Sequence, residues 1–71
     1  MAYDYSKLSG KIKEVYGTQA TFAEAMGMAQ TSLSFKLNNK SEWSQEEMEK
    51  AMKLLSIPRA SVRTYFFTHK V

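Results

Sequence analysis

The chain has 71 residues, 44% of them hydrophobic and 24% charged, and ten Lys or Arg against seven Asp or Glu leave a net charge of +3. That length makes one small domain with no room for a second, and the composition supports a packed core, not a disordered chain. The absence of cysteine excludes disulfide and thiolate chemistry and suits a reducing cytoplasm.

No apolar run approaches the roughly 20 residues that a membrane helix needs. The amino-terminal MAYDYSKLSGK lacks the apolar stretch of a signal peptide, so a soluble protein of the cytoplasm with no membrane partner is expected. The charge is unevenly spread. No Asp or Glu occurs from Ala25 to Ser41, whereas Glu42, Glu46, Glu47 and Glu49 crowd the next segment.

With one proline, Pro58, and no alternating β-branched run before the last few positions, helices are expected throughout. In the first, Asp4 caps the start, and Leu8, Ile12 and Val15 recur at helical spacing with Tyr5 one turn earlier on the same side; Gly17 ends it. Thr18 caps a second helix running to about Met26, with Phe22, Ala23 and Met26 on its inner face, and Gly27 supplies the positive φ of a tight exit. A third helix spans about Ala29 to Leu37, with Leu33 and Leu37 facing inward, and Asn38, Asn39 and Lys40 close it as a polar loop.

The fourth helix has the clearest start, WSQEEM at residues 43 to 48. Ser44 and Glu47 form a capping box, and Trp43 packs on Met48 as a hydrophobic staple. It runs to Leu55 or Ser56 and buries Met48, Ala51, Met52 and Leu55; its acidic first turn and the later Lys50 and Lys53 match the helix dipole. A last short helix begins at Pro58 and ends near Tyr65. The tail FFTHKV reads equally as a brief strand or an extended aromatic arm. No internal repeat or low-complexity stretch is visible.

Two short helices joined by a glycine turn within residues 18 to 37 make a helix-turn-helix arrangement, with small Ala23 where the helices press together and Phe22, Met26, Met28 and Leu33 facing the core. The stretch T-Q-x-x-F-A-x-x-M-G-M-x-x-T-S-L-S, residues 18 to 34, resembles the phage repressor and Cro type of regulator. With YDYSKL near the start and S-L-S-x-K-L-N-N-K in the third helix, the chain resembles in particular the small repressor, Cro-like or modulator-of-repression proteins of temperate phages of lactic-acid bacteria. The resemblance implies an all-α, five-helix, lambda-repressor-like domain that binds operator DNA and works in a lysis–lysogeny switch together with the phage repressor. Lys36 departs from the pattern, which has an apolar residue there, and Leu37 takes that role.

Setting Leu33 and Leu37 inward places Thr31, Phe35 and Asn38 outward, Ser32 and Ser34 on the flanks and Gln30 near the amino-terminal edge. Gln30, Thr31, Ser34 and Asn38 are then the candidates to read bases, Gln30 by a bidentate pair to adenine and the others by hydrogen bonds or thymine-methyl contacts. Backbone contacts similar to the family's fall to Gln19, Asn39 and Lys40, with Lys36 in reach of a phosphate. Outside the helix-turn-helix context all of these would be ordinary surface residues.

Phe35 fits that face poorly. Three coverings are open to it: Trp43 under the following loop, thymine methyls, or a protein partner. The third gives a distinct function, an antirepressor that binds the cognate repressor and blocks or alters its DNA binding. Tyr65, Phe66 and Phe67 hold more aromatic surface than so short an element can bury, so an interface there with a second copy or another protein is expected. Catalysis is not expected, and neither is a cofactor or metal. The single histidine, His69, lies in the tail, and no nucleophile with its base, ligand set or phosphate-cradling loop is present.

Overall fold

The computed structural model describes residues 2–69. Its five α-helices are α1 (Ser6–Tyr16), α2 (Gln19–Met26), α3 (Gln30–Leu37), α4 (Gln45–Leu54) and α5 (Val62–Phe66), the last entered through a 3-10 turn at Arg59–Ser61. Among the described residues the only strand-like pairing is an antiparallel bridge between Tyr3 and His69, beside which the Asp4 amide donates to the Thr68 carbonyl at 2.6 Å. The tail up to His69 therefore lies extended along the amino-terminal arm. Lys70 and Val71, the end of the FFTHKV segment, fall outside the described residues.

Each helix contributes one apolar stripe to a single core. Leu8 and Ile12 come from α1, Phe22, Ala23 and Met26 from α2, Leu33 from α3, Ala51 and Met52 from α4 and Phe66 from α5, with Tyr5, Leu55 and Ile57 from the connections. Val15, expected inward, is 47% exposed. In its place the half-buried Tyr16 rotates toward α2 and sets its ring 5.2 Å from that of Phe22.

Local capping chemistry fixes most boundaries. The Thr18 hydroxyl accepts the Thr21 amide at 3.2 Å, and Ser44 and Glu47 exchange the two hydrogen bonds of a capping box at 3.1 and 2.8 Å. Asp4 sits one position outside the cap that the sequence suggested, since Tyr5 occupies it; the Asp4 carboxylate accepts the Ser6 amide at 2.9 Å. Pro58 likewise stands before the 3-10 turn and outside it, and α5 continues one residue past Tyr65.

Four helices exit through a residue of positive φ, α1 at Gly17 (φ +83°). At Gly27 (φ +75°) the Gly27 and Met28 amides donate to the Glu24 and Ala23 carbonyls at 3.1 and 3.0 Å. Asn39 (φ +63°) does the same for α3, with Lys40 donating to Phe35 at 2.8 Å, and Ser56 (φ +56°) for α4, with Ile57 donating to Met52 at 2.8 Å. Lys50 adds a tie between helices. Its ammonium donates to the Met26 carbonyl at 3.1 Å, neutralising the open carboxyl end of α2 from α4.

Candidate functional site

Gly27 reverses the chain between α2 and α3, and α3 then anchors itself through fully buried Leu33 and half-buried Leu37. Its opposite side faces outward. Gln30, Thr31 and Ser32 are exposed there, and their side chains make no hydrogen bond among the described residues; Gln19 is exposed at the start of α2. These four groups are free to meet a ligand.

The carboxyl end of α3 is different, because four of the expected ligand contacts are already engaged within the molecule. The Asn38 amide nitrogen donates to the Ser34 carbonyl and hydroxyl at 2.8 and 3.3 Å, so Ser34 and Asn38 partly satisfy each other. Asn39 forms a clamp: its carbonyl oxygen accepts the Tyr3 amide at 2.8 Å while its amide nitrogen donates to the Tyr3 carbonyl at 2.9 Å. Asn39, expected at a phosphate, thus has its side-chain amide engaged in holding the amino-terminal arm while the residue stays exposed.

Lys36, also expected in reach of a phosphate, is likewise engaged within the molecule. Its ammonium lies 2.9 Å from the Glu47 carboxylate and donates to the Glu42 carbonyl at 2.9 Å, and its side chain is only 12% exposed. Burial would raise the Glu47 pKa, but the Ser44 amide and the Lys36 ammonium outweigh it and hold the carboxyl below its usual value. This ion pair explains the departure from the apolar pattern: the lysine stem spans the gap between α3 and the loop into α4, and its charge ends on a carboxylate.

Lys40 remains available. Its ammonium stands 5.7 Å from the centre of the Phe35 ring. Phe35 itself is 44% exposed. Trp43 does not cover it, because the indole is turned inward onto Phe66, edge-on at 5.2 Å, and toward Tyr5 at 6.4 Å. The outward face of α3 therefore presents free polar groups at its amino end and a phenyl ring with a stacked lysine in its middle.

The aromatic tail divides. Phe66 is buried in the core, correcting its assignment to an interface; a five-residue helix can turn one of three consecutive rings fully inward, and Phe66 is that ring. Tyr65 is half-buried against the core, and Phe67 remains 42% exposed. Sequence reasoning missed the roles of Lys50 and Asn39, whose partners lie 24 and 36 residues away. Only the left-handed position typical of asparagine after a helix hinted at the second.

No helix of the described residues is long and apolar enough to cross a membrane. The family described as "Protein of unknown function (DUF739)" matches residues 1–69. No curated protein matches. Among solved structures, the chain is similar to the solution structure of the modulator of repression of the temperate bacteriophage TP901-1 from Lactococcus lactis. The two share 46% identity and a TM-score of 0.84 over 100% of this chain and 96% of that one.

Proposed function

Because this chain belongs to the DUF739 family and to the small phage regulatory proteins represented by that modulator of repression, we propose that it modulates a temperate-phage repressor by binding the repressor protein itself. It would act in the host cytoplasm within a lysis–lysogeny switch, as a binding protein with no catalysis of its own. The observation that carries this reading is Phe35. A phenyl ring 44% exposed at the centre of an outward helix face has the character of an aromatic anchor at a protein interface.

Electrostatics supports the same choice. Duplex binding draws most of its affinity from cations on phosphates. With Lys36 held by Glu47, Lys40 is the one lysine of α3 and its exit loop that remains without an ion pair. That is thin provision for a protein working alone on an operator. Operator binding is the second reading, favoured by the free side chains of Gln30 and Thr31 at the start of α3 and of Gln19 at the start of α2.

The deciding experiment is a gel shift of the phage switch region with this protein, its repressor, and both together. Loss of the repressor shift on adding this protein, or a supershift that requires both, supports the proposal. A sequence-specific shift by this protein alone, unchanged by the repressor, replaces it with the second reading.

A further inference from the structure

Apart from the α3 face, the amino-terminal arm, the loop into α4 and the end of α5 enclose a cleft of roughly 280 Å³. Tyr3, Tyr5, Trp43 and Phe67 line it together with Met48 and Glu42. The rings form a continuous wall: Tyr3 lies 6.2 Å from Tyr5 and 5.9 Å, edge-on, from Phe67, and Tyr5 lies 6.4 Å from Trp43. Aromatic faces carry negative potential, so such a wall attracts a cation.

A formal charge of the same sign stands at the mouth. The Glu42 carboxylate is exposed and has no ion pair among the described residues. Lys36 places its ammonium on Glu47 and on the Glu42 carbonyl, not on the Glu42 carboxylate, and Lys40 makes no ion pair among the described residues. The Glu42 charge reaches the inner wall: burial first, then Tyr3 and Glu42, push the Tyr5 hydroxyl above its usual pKa.

From the aromatic wall, the carboxylate at its mouth and the lack of an ion pair to that carboxylate among the described residues, we infer that this cleft receives the guanidinium of an arginine side chain from a partner protein. Arginine suits it better than lysine. Its planar, weakly hydrated head stacks on rings while its edge hydrogen-bonds a carboxylate, whereas an ammonium gives up more hydration on entering. The assignment also gives a purpose to Phe67, a large ring left 42% exposed on the lip. It does not depend on the α3 face being the repressor contact.

Trp43 is the only tryptophan of the chain, so its fluorescence reports the cleft directly. The test titrates the full chain with N-acetyl-arginine amide, with the neutral isostere N-acetyl-citrulline amide, and with N-acetyl-lysine amide. The arginine probe should give a saturable change with a midpoint on the order of millimolar, and both other probes should be about tenfold weaker. Glu42→Gln, a surface change that leaves folding intact, should weaken the arginine probe about tenfold, and Glu24→Gln on α2 should change nothing. No saturable response to arginine, an equal response to citrulline or lysine, or indifference to Glu42→Gln overturns the inference. The same titration on Phe35→Ala should match the parent, which separates this cleft from the α3 face.

Discussion

Lys36 and Glu47 meet at 2.9 Å, and since Glu47 also closes the capping box with Ser44, one carboxylate both starts α4 and holds the end of α3. Lys36→Met should therefore cost about 1–3 kcal/mol, because it leaves a partly buried carboxylate and the Glu42 carbonyl without their donor. Arg59→Ala removes an ion pair of similar formal kind, 3.4 Å from Glu49, but both side chains are exposed, so its effect should stay below about 0.5 kcal/mol. Urea midpoints of the two variants check the contrast, and equal losses would refute it.

The same carboxylate predicts an acid response. Its folded pKa is depressed from 4.5, so its stabilising contribution is complete above that value and is lost as the pH falls through the lower folded value. Relative to Glu47→Gln, the wild type should hold a constant advantage near neutrality that shrinks below about pH 4.5. Melting temperatures measured from pH 7 to pH 2.5 would show it. An advantage that grows on acidification contradicts the assignment.

Two glycines should respond to alanine with opposite signs. Gly27→Ala forces a side chain into φ +75° and should destabilise by about 1–2 kcal/mol; the added Cβ meets only the Lys50 ammonium at 3.8 Å, so the cost is backbone strain and not a clash. Gly10 lies inside α1 with open space around it, and Gly10→Ala should stabilise by about 0.5–1 kcal/mol. Thermal unfolding of both variants decides the matter.

Two phenylalanines should likewise part company. Phe66→Ala should cost about 3–5 kcal/mol, enough to threaten a domain of this size. Phe35→Ala should shift stability by less than about 1 kcal/mol and yet abolish association with the repressor, as an exposed anchor would. Circular dichroism melts paired with a pull-down on purified repressor read both. A melted Phe35→Ala protein would place that ring in the core.

The α2–turn–α3 frame was legible because its signals are local. Thr18, Gly27, and the Ser44–Glu47 pair act on amides within four residues, and Leu8, Ile12, Phe22 and Leu33 follow the helical repeat. What the letters concealed depends on distant partners. Nothing near Asn39 announces that its amide belongs to Tyr3, and Lys36 looks like a free cation until the loop into α4 brings Glu47 beside it. In Tyr65–Phe66–Phe67 the periodicity is too short to say which ring turns inward, and in α1 the final turn favours Tyr16 over Val15 because Phe22 stands opposite. The sequence thus placed Gln30 and Thr31 on the outward side, where they stand exposed, but did not show the internal bonds that occupy Ser34, Lys36, Asn38 and Asn39 at the carboxyl end.

The pairing of Tyr3 with His69 brings the two extremities of the described chain side by side. A short glycine-rich bridge between them would make the polypeptide a near-closed ring. New termini could then be cut into an exposed loop such as residues 40–42, giving a circularly permuted protein with its core unchanged. In such a permutant the arm of Tyr3 would become an internal crossover, and its clamp by Asn39 could be probed without fraying at a free end.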